Sequence, residues 1–246
     1  MYVVLFSVLT FLSTCNCVAE KDEHQDHCAF LKQWFESSVS VELSKKGFHR
    51  EVITTVEPKP GSLGDVRVLL VYRWTSGVYV DPYQVASLRD QSDWQILLDS
   101  GIDLEAPAHK TSGFLTYVYP SYNGLTSSLL KVTLPVHGRY HKPSLVGKTF
   151  TSLHIEPPEL LLWTAKCKQL NRLEPHTVVA APCTFENSSS CSWVKIHHRR
   201  EELGPLSFQL PVGDGSVVTP VCGATLLVTT MCCVALTKHM WKHRII

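Results

Sequence analysis

The sequence predicts a mainly β protein: an antiparallel, sandwich-like lumenal domain carried on a single C-terminal transmembrane helix. Three observations lead there. Short β-branched and aromatic runs recur through the middle of the 246-residue chain, separated by Pro and Gly. An uncharged stretch runs from Val217 to Thr237 near the C-terminus. An apolar run opens the chain and gives way to small and polar residues before an acidic segment.

The opening "MYVVLFSVLTFLSTCNCVAE" has an apolar core from Val3 to Leu12 and reaches Cys17-Val18-Ala19, small side chains where a signal peptidase inspects them. Residues 1–19 are therefore expected to be a cleaved signal peptide. Residues 20–216 then form the lumenal region, long enough to bury a core of its own. The formal net charge of +1, with 18% charged residues, excludes the electrostatic footprint of a nucleic-acid binder.

Strands are predicted in "EVITTVEP", "DVRVLLVYRW", "SGVYVDP", "GFLTYVYP", "LLKVTLPVHGRY", "KTFTSLHIEP", "HTVVAAP", "CSWVKIHH" and "LSFQLPV". Turn punctuation such as "EPKPGSLGD", "PSYNG" and "EPPE" falls between them. Two helices are expected, in "DHCAFLKQWFESS" and in "PYQVASLRDQSDWQILL". No internal repeat or low-complexity linker interrupts the region, which favours one domain.

Cysteine usage follows from the topology. Cys15 and Cys17 leave with the signal peptide, and Cys222, Cys232 and Cys233 lie in the membrane. Cys28, Cys167, Cys183 and Cys191 remain in an oxidising lumen, where two disulfides have three possible connectivities. A Cys183–Cys191 bridge would staple a local loop, and Cys28–Cys167 would follow. Asn187-Ser188-Ser189 lies inside that loop and is a glycosylation sequon on the lumenal side.

"LPVHGRYHKP", residues 134–143, looks at first like an active site. Pro135, Gly138 and Pro143 forbid a helix, and Val132, Leu134, Val136 and Tyr140 alternate with Lys131, Thr133, His137 and Arg139. On a strand, His137 and His141 stand roughly 13 Å apart and cannot share one metal ion. His137 and Arg139 project to the same side, about 7 Å apart, and so either grip an anion or pair with a neighbouring loop. "HQDHC" and "KIHHRREE" lack complementary ligand spacing. There is no G-x-S-x-G, H-E-x-x-H, C-x-x-C, phosphate-cradling Gly loop or Asp-x-Asp pair. No catalytic residue, cofactor or metal is expected.

As a helix, the uncharged stretch 217–237 would span roughly 30 Å, one hydrocarbon core. Lys238, Lys242 and Arg244 follow it without an acid, which places the basic tail 238–246 in the cytosol and makes the chain type I. Gly213–Ser216 also fit a lipid-attachment signal, but a basic nonapeptide beyond the apolar run argues against its removal. Cys222, Thr225, Thr229, Cys232 and Cys233 recur at helical spacing as a small, weakly polar seam suited to close helix packing. Lys242 and Arg244 stand fifth and third from the C-terminus, a spacing similar to dilysine-type retrieval signals of the endoplasmic reticulum.

Four segments together resemble the phosphatidylinositol-glycan biosynthesis class X (PIG-X) family. They are "SGVYVDPYQVASL" (76–88), "LPVHGRYHKP" (134–143), "EPPELLLWTAKC" (156–167) and "FQLPVGDGSVVTPVCGATLLVTT" (208–230). The H-x-R-Y-x-x-P core of the resemblance falls on His137, Arg139, Tyr140 and Pro143. It implies a glycosylated, single-pass subunit in the endoplasmic reticulum membrane that stabilises the multi-spanning catalytic subunit PIG-M of GPI mannosyltransferase I. That enzyme adds the first mannose to the GPI precursor, and the subunit contributes no catalytic residue. Two other classes compete: an adhesion or receptor ectodomain of sandwich type, and a lumenal hydrolase or metalloenzyme acting through His137 and Arg139.

Overall fold

A computed structural model describes Trp34 and residues 37–58, 66–121, 129–165, 177–186, 189–197 and 206–243. Every pairing between its named strands is antiparallel, as the turn-rich pattern predicts. Strands β1 (Ser38–Ser44), β2 (His49–Glu57), β4 (Val78–Tyr79) and β7 (Leu130–Gly138) form one sheet in the order β1-β2-β7-β4. Strands β3 (Arg67–Trp74), β5 (Trp94–Leu98), β6 (Phe114–Pro120), β9 (Glu159–Trp163), β10 (Thr177–Pro182) and β11 (Ser190–Ile196) form the second, in the order β10-β11-β9-β3-β6-β5. A ribbon of β8 (Phe150–Ile155) and β12 (Leu206–Pro211) adds to the same core.

Alternation along β3 shows how the layers meet. Val68, Leu70, Tyr72 and Trp74 point into the main core, where Val52 and Val56 of β2 and Val132, Leu134 and Val136 of β7 meet them. Tyr72 crosses between the layers and donates its hydroxyl to Thr54 Oγ1 at 2.8 Å, so the buried phenol is satisfied and its pKa is raised by burial. Trp74 stacks on Tyr72 at 5.4 Å and donates its indole N–H to Thr116 Oγ1.

The intervening residues Leu69 and Val71 are buried on the opposite face with Leu161, Ala181 and Trp193. The larger sheet is therefore apolar on both faces. That is why "RVLLVY" reads as a continuous apolar run, whereas β2, with one buried face, alternates.

Helix α1 (Pro82–Leu88) begins where sequence chemistry places it: Asp81 accepts from the backbone N–H groups of Tyr83 and Gln84, and Pro82 occupies the first helical turn. It is shorter than the expected helix. A 3-10 turn over Arg89–Gln91 ends it, and "WQILL" becomes β5, pairing with β6. The expected helix around 26–38 falls almost wholly outside the described residues.

Helix α2 (Val218–Lys242) follows a 3-10 turn over Gly215–Val217. It is long and apolar enough to cross a membrane, and no part of its apolar window is buried within the protein. The helix runs on past Thr237 through the first residues of the basic tail.

Candidate functional site

The H-x-R-Y-x-x-P stretch sits at the end of β7, where that strand lies between β2 and β4: His49 faces His137, and Val78 faces Gly138. A Cβ at Gly138 would crowd the tip of the Leu210 side chain on β12, which would have to shift. The strand ends as Gly138 N–H donates to Phe48 O and Arg139 N–H to Gly77 O.

Both His137 and Arg139 are buried, at 9% and 5% exposure, so neither presents an open grip. The Arg139 Nη1 donates to the carbonyls of Asp103 at 2.6 Å and Ala106 at 2.7 Å. Its guanidinium carbon stands 4.7 Å from the Tyr79 ring centre. The side chain thus clamps the 103–110 loop onto the end of β7. Burial lowers its pKa, and the Tyr79 and Asp103 charges oppose that trend.

His137 Nε2 lies 2.8 Å from Gln84 Oε1 on α1, and its ring packs between Tyr79, stacked at 5.0 Å, and His49, edge-on at 4.7 Å. Burial and the neighbouring His49 lower its pKa, with Asp81 opposing weakly. The two residues share Tyr79 as a common neighbour, so this is a structural knot joining β2, β4, α1, β7 and the 103–110 loop. Chemically it offers an imidazole whose charged form is disfavoured by burial and a guanidinium whose Nη1 is engaged with main-chain oxygens. His137 Nδ1 and Arg139 Nε are buried without a hydrogen-bond partner among the described residues.

Tyr140, expected on the apolar face, lies beyond the strand end and is 73% exposed. Its ring packs on Phe48 at 5.0 Å, and its carbonyl accepts from Ala108 N–H. Pro143 lies near Gly213, just before α2. Here the chain opens an unforeseen cleft of about 580 Å³, lined by His109, His141, Lys142, Ser144, Lys148 and Phe150 among others. His109 arrives from a 3-10 turn over Ala108–Lys110, about thirty residues upstream, so no local motif announces the cluster. Burial and proximity to His109 lower the pKa of His141.

The Cys183–Cys191 disulfide is present and closes the loop containing the sequon. Cys28, Cys167, Asn187 and Arg244 lie outside the described residues. Among the described residues no group of three or more His, Cys, Asp or Glu side chains is arranged to hold a metal ion.

On α2, Cys222, Cys232 and Cys233 are free thiols and exposed. Thr225 and Thr229 donate their hydroxyls back to the carbonyls of Val221 and Thr225 at 2.8 and 2.9 Å. Thr230 and Thr237 do the same to Leu226 and Cys233. The threonine hydroxyls of the seam are therefore satisfied within the helix, while its thiols are exposed.

Comparison with known proteins supplies the remaining observation. The family model described as PIG-X / PBN1 matches residues 45–241. A human protein named "GPI alpha-1,4-mannosyltransferase I, stabilizing subunit" is 30% identical over 206 residues, covering 82% of this chain and 79% of the human one. The rat and mouse proteins of the same name are each 28% identical over 205 residues, covering 82% of this chain and 81% and 80% of theirs. The match takes in the β7 knot, the 103–110 loop it clamps and the apolar helix together, and on that extent the chain belongs to the PIG-X / PBN1 family.

Proposed function

We propose that this chain is a non-catalytic stabilising subunit of GPI mannosyltransferase I in the endoplasmic reticulum membrane. Its partner in this reading is the multi-spanning catalytic subunit PIG-M, which performs the first mannose transfer of GPI-anchor assembly. The observation that carries the proposal is the match to relatives named stabilizing subunits along four-fifths of the chain, with the family model reaching through the apolar helix to residue 241. The knot at the end of β7 supports the same role. Its cationic side chain is engaged through Nη1 with the carbonyls of Asp103 and Ala106, an arrangement that holds a shape.

A partner that binds only the folded transferase shifts its folding equilibrium by mass action and raises its abundance without touching its chemistry. In this reading the β domain faces the lumen, Asn187 carries a glycan, and Lys242 with Arg244 retrieves the chain. The Thr225 and Thr229 face, with Cys222, Cys232 and Cys233, packs against a helix of the partner.

The test is removal of this chain from cells followed by immunoblotting for PIG-M and flow cytometry of GPI-anchored proteins. Both fall in concert, and re-expression restores both. Unchanged PIG-M abundance in the depleted cells would refute the stabilising role. The Asn187 glycan should remain sensitive to endoglycosidase H, whereas resistance would point to a cell-surface receptor.

A further inference from the structure

The loop between β7 and β8 is bound at both ends to the root of α2. Ser144 N–H donates to Gly213 O and Gly215 N–H donates to Ser144 O, both at 2.8 Å, while Val212 N–H donates to Thr149 O at 2.9 Å. Leu145 lies against the same segment: a Cβ on Gly215 would stand 2.7 Å from Leu145 Cδ2. The uncharged run begins two residues later, at Val217. Two residues of the 3-10 turn rise only about 4 Å, and the headgroup layer beside the hydrocarbon is roughly 5–7 Å deep. Leu145 is therefore level with that layer wherever α2 enters a bilayer.

The loop tip has the composition such a position requires. Leu145 and Val146 are each 80% exposed, the most exposed large apolar side chains among the described residues. Their exposure is built in. Gly147, at φ +73°, turns the chain, and Ser144 Oγ accepts from the N–H groups of Val146 at 3.3 Å and Lys148 at 3.0 Å. The aliphatic pair is thus held outward by a stiffened turn.

Lys142 and Lys148 flank it and line the cleft described above together with Ser144 and Phe150, the latter 55% exposed. The neighbouring carboxylate, Asp214, is occupied by Ser216 N–H at 2.9 Å and Ser216 Oγ at 2.7 Å. Aliphatic tips between lysines, next to the start of a membrane helix, match the two chemistries of an interface: acyl-chain boundary and phosphate.

We propose that the Lys142–Phe150 loop is a second membrane contact, with Leu145 and Val146 seated in the headgroup layer of the leaflet facing the β domain and Lys142 and Lys148 meeting lipid phosphates. The proposal rests on α2 being the membrane anchor. With two attachments the β domain is fixed against the bilayer, where one attachment alone would let it tumble.

The experiment uses the full-length chain in nanodiscs of phosphatidylcholine and phosphatidylserine, with a solvatochromic fluorescent amino acid placed singly at Val146, Val228 or Glu57. Glu57 is at the end of β2 far from His49, about 26 Å along the strand. Emission from position 146 is expected to shift to the blue and to be quenched by lipids bearing a nitroxide near the headgroup, while position 57 stays water-like. Lys142→Glu together with Lys148→Glu, both on exposed side chains, is expected to abolish the shift at 146 and leave position 228 unchanged.

A water-like signal at 146 with a lipid-like signal at 228 overturns the loop contact alone. A water-like signal at 228 overturns the anchor reading and the loop contact with it. Shielding at 146 that appears only when the transferase subunit is added, without quenching by lipid nitroxide, assigns the tip to a protein surface and overturns the lipid contact.

Discussion

The guanidinium of Arg139 lies over the ring of Tyr79 at 4.7 Å, and the same side chain reaches across to the carbonyls of Asp103 and Ala106. One residue thereby ties the end of β7 to β4 and to a loop more than thirty positions upstream. Charge-assisted bonds to buried carbonyls are worth about 1.5–3 kcal/mol each, and their loss leaves acceptors unsatisfied.

Arg139→Ala is expected to destabilise the β domain by about 3 kcal/mol, lowering its thermal midpoint by roughly 6–12 °C. Arg139→Lys should recover only part of this, since an ammonium cannot both bridge two carbonyls and lie flat over a ring. Thermal unfolding of the purified chain in detergent, followed by tryptophan fluorescence, measures both. An Arg139→Ala variant as stable as the parent would show that the clamp contributes nothing.

His137 gives the domain an acid-sensitive element. Burial and the adjacent His49 hold its folded-state pKa below the ordinary value of 6.5, so the unfolded chain binds a proton more readily. Stability from this group is complete above that ordinary value and is lost as pH falls below it toward the folded pKa. His141 is shifted in the same direction and adds to the trend. Unfolding midpoints should fall between about pH 7.5 and pH 5.5, and His137→Gln should make the slope shallower. Identical slopes for the two proteins would exclude His137 as a source of the dependence.

Gly138 lies against the tip of the Leu210 side chain, which a Cβ at 138 would displace. Gly138→Ala is expected to cost about 1–3 kcal/mol through overpacking, and Leu210→Ala about 2–5 kcal/mol through the cavity it leaves. The added methyl fills part of that cavity, so the double variant should be more stable than the sum of the single effects. A double-mutant cycle with strictly additive energies would contradict the contact.

The Cys183–Cys191 bridge spans eight positions, and closing so short a loop restricts the unfolded chain by about 2–3 kcal/mol. Cys191→Ser should lower the unfolding midpoint and remove the mobility difference between reduced and non-reduced samples of a fragment containing the loop. The indole of Trp193, which donates to Ala181 O across the same hairpin, should become more solvent-accessible to acrylamide.

Strands were legible where alternation, the direct physical signature of one buried face, is clean, as in β2, or where β-branched and aromatic residues crowd a run, as in β3, β6 and β7. Two other apolar runs carry no such signal. "ELLLW" becomes β9, apolar on both sides because it sits inside the larger sheet, and a run of leucines carries no period to reveal it. "WQILL" continues an apparent helical spacing and becomes β5 only through pairing with β6. "SVSVELS" does alternate, with Val39, Val41 and Leu43 packed on the core, but it is short and mostly polar, and its pairing with β2 is what fixes it as β1.

The same distinction governs the site. His137 and Arg139 stand out as residue types, yet the partners of Arg139 are main-chain oxygens, which any sequence supplies and none advertises. His109 meets His141 only through the folded loop, so the cleft they line belongs to tertiary structure alone.

Thr225, Thr229, Thr230 and Thr237 each return a hydroxyl to their own helix. A solitary copy in hydrocarbon consequently presents no thirst at those positions and has no need to recruit water or another helix to tolerate them. The same hydroxyls can swing outward when a neighbour arrives with an acceptor, because the bond they leave is one the carbonyl already shares with the backbone. Tolerance of hydrocarbon by a lone helix and attraction to a second one thus draw on the same four atoms.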